Sequence, residues 1–490
     1  MSFEELRKVR LEKLENLKKA GINPFPASVD FPLAPISKLK KDFKKNLRKK
    51  GIGIAGRIMA KREHGGSAFL DLYDGLEKLQ IFIGRDKIGE DSFKLFSENI
   101  DVGDFIAVSG KPFYTKRKEA TIEVLRWQVL SKSLRPLPEK WHGLSDVEER
   151  FRKRYLDILI NSEVKDKFII RSKLISEIRS ILIREGFMEI ETPMLQPIYG
   201  GALAEPFKTH HRILDIDMYL RIAPELYLKR LLIGGLDKIF EIGRVFRNEG
   251  IDITHNPEFT MLELYAAYWD AETLKEFIAK VLGSLVRKVT GKNSFKFENN
   301  VIKFSGKISS IPFWSVIERY ALIIKPEKVS REEFSTRAKQ FGLNPVPEDT
   351  KEKIADEIFK KICRPKLIQP IFVINHPLAI SPLAKELSLS PGLVDRFQLI
   401  IAGIEIVNGF SELNNPLEQK KRFEFQESLR KEKDKEAHPM DNDYIEAMEY
   451  GMPLAAGLGI GLDRLTMLLT DTHNIKEIIL FPTLKPKEQN

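Results

Sequence analysis

Cysteine is nearly missing from this chain of 490 residues: Cys363 stands alone. That excludes an internal disulfide framework and any zinc site built from several thiolates. Long hydrophobic runs are missing too. No uncharged apolar stretch approaches the ~18 residues a membrane-crossing helix needs. The opening MSFEELRKVRLEKLE is charged throughout and lacks an apolar signal-peptide core. We therefore expect a cytoplasmic protein with no membrane segment. Several catalytic motifs are also absent: the phosphate loop G-x4-G-K-[ST], the nucleophile elbow G-x-S-x-G, and paired histidines at zinc-binding helix spacing. GLGIGLDR (457–464) is glycine-rich, but Leu462 stands where a dinucleotide fingerprint needs its third glycine.

What is present suits a large folded protein. Apolar residues make up 42% and charged residues 31%, which excludes disorder of the whole chain. At ~150 residues per domain, the length suggests about three domains. The net charge of +10 is uneven: residues 1–50 hold 14 Lys/Arg against 6 Asp/Glu, whereas residues 141–490 balance. A basic arm suits a polyanion such as nucleic acid. A solvated basic helix with no ligand would look the same.

Residues 3–20 have apolar positions at Leu6, Val9, Leu14 and Leu17, a helical spacing. The glycine and four prolines between Gly21 and Pro35 end that helix. We expect a basic helical extension over 1–48. Across 49–133, five segments are rich in β-formers, with the helix-like DSFKLFSENI between the third and fourth. That is the order of an OB-fold barrel, which binds oligonucleotides. A proline-bearing linker follows at 134–152, with Ser145 a plausible helix start. From 153 to 490 helices alternate with strands, and a largely helical insertion is expected at about 271–370. Ser330 and Glu333 there have capping-box spacing.

Alternation along the barrel strands places Leu70, Leu72, Leu79, Ile81 and Ile83 inside, and therefore Phe69, Gln80 and Phe82 outside. An outward ring can stack on a base, an amide can read its edge, and the nearby Lys61 and Arg62 can hold phosphate. Rings packed beneath another domain would give the same pattern.

The remaining motifs are long: GFMEIETPML (186–195), APELYLK (223–229), KIFEIGRVFRNEGIDITHNPEFTMLELY (238–265), GIEIVNGFSELN (403–414) and GLGIGLDRL (457–465). Together they resemble the three signature motifs of class II aminoacyl-tRNA synthetases, and in detail the lysyl-tRNA synthetase family. With the barrel and the PLPEKWHGL linker, the resemblance covers nearly the whole chain. It implies an α+β protein: an anticodon-binding OB-fold, then a catalytic domain whose antiparallel sheet is flanked by helices.

The implied reaction joins lysine to ATP as lysyl-adenylate, releasing pyrophosphate. The lysyl group then passes to the terminal ribose of tRNA(Lys), by family analogy to its 3′-hydroxyl. An anion must attack a polyanion, so catalysis calls for cations and positioning rather than a general base. The resemblance implies that Arg247 bridges the lysine carboxylate and the α-phosphate, that His255 reaches the γ-phosphate, and that Glu249 accepts from the adenine amino group. It implies that Phe259 and Arg464 sandwich the adenine, with Arg247, His255 and Arg464 as the catalytic set. Gly201 and Glu225 would meet the α-amino group. Glu263, Tyr265, Asn408, Phe410 and Glu412 would surround the side chain. The residues agree with this: Phe259, Glu263 and Tyr265 share one strand face, Asn408, Phe410 and Glu412 share parity, and carboxylates converging on a buried site need a cation. On the barrel, the resemblance assigns Arg62, Phe69 and Gln80 to the anticodon.

Magnesium is the implied cofactor, with Glu405 as one ligand. Seven positions earlier, where the family pattern has glutamate, this chain has Gln398. A helix at roughly 166–186 should form a two-fold interface, giving a homodimer. Three other readings stand beside this one, and the first, a relative that adds lysine to a protein, would lack the N-terminal barrel that this chain has. An aspartyl- or asparaginyl-type relative would need Lys or Arg where Glu263 and Glu412 stand. A non-catalytic nucleic-acid-binding relative would have lost Arg247 or Arg464.

Overall fold

A computed structural model describes residues 2–138, 144, 146–304, 307–431 and 439–487. Ser145 and the middle of the expected linker lie outside the described residues. The chain divides into two compact units, Met1–Ile160 and Asn161–Asn490.

In the first unit, five strands close into a barrel: β1 (Ile52–His64), β2 (Ser67–Tyr73), β3 (Lys78–Gly84), β4 (Phe105–Tyr114) and β5 (Ala120–Ser131). Closure comes from the parallel pairing of β3 with β5. The period-2 pattern drives one face of every strand inward: Ile54, Leu70, Leu72, Ile81, Val108 and Ile122 are fully buried. The helix Glu90–Asn99, between β3 and β4, adds Phe93 and Phe96 to this core.

The N-terminal helix, α1 (Phe3–Lys19), starts at a capping box made by Ser2 and Glu5. It is not a free arm. Leu14 and Leu17 are buried, Arg10 donates to the carbonyls of Ser133 and Val102, and Lys13 pairs with Asp101 at 2.6 Å. Two cations counted toward a polyanion site are thus used to dock the helix on the barrel. The exposed basic residues cluster farther on, at Lys38–Lys50, over the short helices Ile36–Lys41 and Phe43–Asn46.

The second unit is built on an eight-stranded sheet. Its strand order is Ser309–Pro312, Ile371–Pro377, Leu393–Ile401, Ile404–Ser411, Ala455–Gly461, Glu258–Ala267, Lys238–Phe246 and Met188–Glu189. The six central strands are antiparallel, and only the two edge strands pair in parallel. Alternation splits the faces. Leu262, Leu264, Leu458 and Ile460 point into a core closed by the helices Ser162–Arg184, Ala271–Thr290 and Leu462–Leu469. Met261, Glu263 and Tyr265 point the other way, which frees that face for polar chemistry.

The stretch expected as a helical insertion has two parts. Ala271–Thr290 belongs to the main core. Phe313–Ala321, Arg331–Gln340 and Lys351–Ile358 form a separate core around Phe313, Phe334 and Phe359. A short hairpin, Ser294–Phe297 with Asn300–Lys303, lies between them in sequence. Ser330 does cap its helix, accepting from Glu333 N at 3.2 Å.

Candidate active site

The polar face of the sheet carries a cavity of about 480 Å³. Arg247 follows directly on the strand Lys238–Phe246, and Phe259 belongs to the strand that returns antiparallel to it. The Arg247 guanidinium lies 5.2 Å from the centre of the Phe259 ring. Arg464 enters from the first turn of Leu462–Leu469, held by its neighbour: Asp463 accepts from Thr260 N at 2.7 Å and pairs with Arg171 of the Ser162–Arg184 helix. The Asp-Arg dipeptide therefore has divided duties. Asp463 ties a strand and two helices together, and Arg464 faces the cavity.

His255 lies in the loop between the two strands. Its Nε2 is 2.9 Å from Arg464 Nη2, and its Nδ1 is 2.8 Å from Asp252 Oδ2. An arginine can only donate, so Nε2 accepts and Nδ1 carries the proton. Burial alone would raise the Asp252 pKa, but hydrogen bonds from Thr254 and His255 outweigh it and hold that carboxyl at about 2. His255 is thus held between Arg464 and Asp252. Glu249, exposed in the same loop, also lines the cavity.

The far end of the cavity is acidic and buried. Glu225 opens the helix Glu225–Ile233 and is 6% exposed; Glu263 is 4% exposed and Glu412 is sealed. The Tyr265 hydroxyl donates to Glu263 Oε2 at 2.8 Å. Gly201, at φ +85, lies so close to Glu225 that an added Cβ would come within 2.7 Å of the Glu225 Cβ. A Cβ at Gly457 would overlap the Tyr265 ring and Glu412 Oε1. Small residues at both positions keep this end open.

One charge was missed in the sequence. Lys229 Nζ is 2.5 Å from both Glu225 Oε1 and Glu412 Oε2, and 5.2 Å from the Phe410 ring centre. The i, i+4 spacing of Glu225 and Lys229 on one helix was the available signal. Neither Lys229 nor Glu412 lines the cavity, whereas Gly201, Glu225, Arg247, Glu263, Tyr265, Asn408 and Phe410 all do. Arg396 was missed as well: it is half-buried, lines the cavity, and holds Asn408 by donating to Oδ1 at 2.9 Å.

Glu405 reaches the cavity through a β-bulge. Val407 pairs with Leu399 but Glu405 with Ile400, so Ile406 is the extra residue and Glu405 turns to the side of Asn408. Gln398 lies beside Glu405. Its Oε1 faces His376 Nε2 at 3.2 Å, and its Nε2 donates to Glu405 Oε2 at 3.0 Å. Burial first, and then the charge of Arg396, press the His376 pKa down to about 3, so the ring is neutral. Glu405 is a hard oxygen donor of the kind magnesium takes, and the Gln398 amide N–H is turned toward it. The described residues contain no cluster of three or more His, Cys, Asp or Glu able to hold a metal.

On the barrel, Phe69 is half-buried with its ring tilted against that of Phe82 at 4.9 Å, and Phe82 meets Phe113 edge-on at 6.3 Å. Arg62 is exposed beside Asp71 at 3.6 Å. Two other expectations change. Gln80 is buried on its outer face, because β3 lies between β2 and β5 and the amide oxygen accepts from Thr121. Lys61 folds back onto the carbonyls of Ser97 and Ile100.

Residues 146–485 match the family described as tRNA synthetases class II (D, K and N), and residues 52–130 match the OB-fold nucleic acid binding domain. The chain belongs to the class II tRNA synthetases of that group. The similar curated proteins are lysine–tRNA ligases. That of Moorella thermoacetica is 45% identical over 99% of both chains, that of Carboxydothermus hydrogenoformans 47% over 99% of both, and that of Dehalococcoides mccartyi 43% over all of this chain and 99% of its own.

Proposed function

We propose that this chain is a lysine–tRNA ligase, which makes lysyl-adenylate and pyrophosphate from lysine and ATP and then charges tRNA(Lys). The acidic end of the cavity carries this reading. Three carboxylates, Glu225, Glu263 and Glu412, converge there, Lys229 pairs with two of them, and Glu263 is left without an ion pair among the described residues, which suits a substrate ammonium. A pocket for aspartate would need a cation where Glu263 and Glu412 stand, and both positions are carboxylates. A non-catalytic relative would have lost Arg247 or Arg464, and both line the cavity.

In this reading the lysine carboxylate sits at Arg247, whose guanidinium offsets charge on both the carboxylate and the α-phosphate. Phe259 and Arg464 hold the adenine between them, and Glu249 meets its amino group. His255 turns from Arg464 toward the γ-phosphate. Magnesium bound with ATP would neutralise phosphate charge, held by the phosphates and Glu405. The outward barrel face around Phe69 and Arg62 binds the anticodon, with Gln80 contributing only at its edge.

The enzyme is read as a cytoplasmic homodimer; among the described residues no helix is long and apolar enough to cross a membrane. Exposed apolar residues support the dimer: Ile169 and Ile183 on the Ser162–Arg184 helix, with Met188 and Leu195 just beyond it. The decisive test is ATP–pyrophosphate exchange with each of the twenty amino acids. Lysine alone should support rapid exchange, and exchange driven by aspartate or asparagine would overturn the assignment.

A further inference from the structure

We infer that the exposed cations of residues 38–50, together with those of the β4–β5 turn, form one surface that grips the sugar-phosphate backbone of tRNA beside the anticodon loop without reading its bases. The inference rests on the reading of the barrel as the anticodon-binding domain and extends that contact beyond the barrel face. Residues 38–50 hold eight Lys/Arg against one acid, Asp42, and the turn adds Lys116, Arg117 and Lys118. All eleven cations are exposed. Lys40 pairs with Glu77 at 2.7 Å and Lys45 with Asp42 at 2.9 Å. Among the described residues the other nine make no ion pair, and Glu119, exposed beside the turn, makes none either.

Tertiary structure puts the two segments together. Phe43 is buried and meets the Tyr114 ring edge-on at 5.2 Å. Arg48–Lys50 lead into β1, whose Ile52 pairs with Gly110 on β4. The turn is closed by Lys118 N donating to Thr115 O at 2.8 Å and by Thr115 N donating to Glu119 O at 3.0 Å. Nine unpaired charges of one sign on one surface repel one another, whereas a merely solvated face interleaves both signs. A polyanion removes that repulsion, and its displaced counterions drive the binding. A membrane of acidic lipids would attract the same charge, but two observations favour RNA. The loop after the fourth strand is a usual oligonucleotide contact of OB-folds. β4 also carries Phe113, the end of the ring ladder, directly before Tyr114, so the strand that ends the ladder begins the patch. Leu47 is the one exposed large apolar side chain of residues 38–50, too little to enter a bilayer.

The test is binding of the full-length protein to a tRNA(Lys) transcript as a function of salt. Lys44→Gln with Lys116→Gln removes one unpaired cation from each segment. This patch variant should bind about tenfold more weakly at low salt, and its plot of log K against log salt should be shallower by about one to two. A tRNA of another specificity should weaken by the same factor, because backbone charge carries no sequence. Lys8→Gln with Lys19→Gln is the control. It removes two exposed, unpaired cations from α1, which docks by Arg10 on Val102 and Ser133, at the other end of β4 and β5. The control should keep the parent's affinity and slope. The inference is overturned if the patch variant binds tRNA with the parent's affinity and slope, or if the control loses as much. It is also overturned if the patch variant keeps tRNA but loses binding to vesicles of phosphatidylserine and phosphatidylcholine in equal parts. A parent that binds no tRNA would remove the anticodon reading and this surface with it, whereas a patch variant that binds like the parent leaves that reading standing.

Discussion

Gln398 shows how much one side chain decides. With glutamine the pair next to Glu405 carries one charge, and its amide N–H satisfies the Glu405 carboxylate. Magnesium would have to displace that hydrogen bond and would gain no second anion. Gln398→Glu adds the missing charge but places two carboxylates side by side, an arrangement that favours a divalent cation. Adenylate formation followed against free magnesium should half-saturate at a lower concentration in Gln398→Glu than in the parent. An unchanged or higher midpoint would show that position 398 stays outside the metal's coordination sphere. Gln398 itself was plain in the sequence. Its orientation was not, because His376 is remote in sequence and becomes its neighbour only through strand pairing.

Among the elements, the barrel's outer face separates recognition from chemistry. Phe69, Phe82 and Phe113 come from three strands and form a ladder of rings. Stacking a base on such a ring contributes ~1–3 kcal/mol. Phe69→Ala should weaken tRNA charging by roughly ten- to a hundredfold while ATP–pyrophosphate exchange stays at the parent rate. Equal losses in both assays would make Phe69 a packing residue. Alternation alone revealed which barrel residues face inward. It could not show that Gln80 would be covered, since that depends on which strands lie on either side of β3. The same holds for the bulge at Ile406, which changes the face Glu405 occupies without any mark in the local pattern.

For the whole molecule, the exposed apolar residues of Ser162–Arg184 bear on assembly. Ile169 and Ile183 are about four turns apart and so fall on nearly the same side of the helix. Both are about half exposed, which is unusual for isoleucine on a face with no partner. Ile183→Asp should shift the protein toward monomers in sedimentation equilibrium without loss of helix content. A parent that sediments as a monomer at micromolar concentration would remove the dimer from the reading.

The sequence by itself determined the kinds of element, the motifs from which the cavity is built and the class of reaction. These follow from period-2 and period-3.6 patterning and from motifs long enough to be read locally: Arg247, His255 and Phe259 all lie within one stretch of KIFEIGRVFRNEGIDITHNPEFTMLELY. Only the tertiary structure decided how the charges pair. Lys229 was in plain view within APELYLK, but its second partner, Glu412, lies 183 positions away and meets it only when the strand Ile404–Ser411 and the helix Glu225–Ile233 are brought together. Lys13 was likewise read as part of a basic arm until Asp101 was placed beside it. Electrostatic energy depends on distance in space and on the exclusion of water, and neither is encoded in sequence separation.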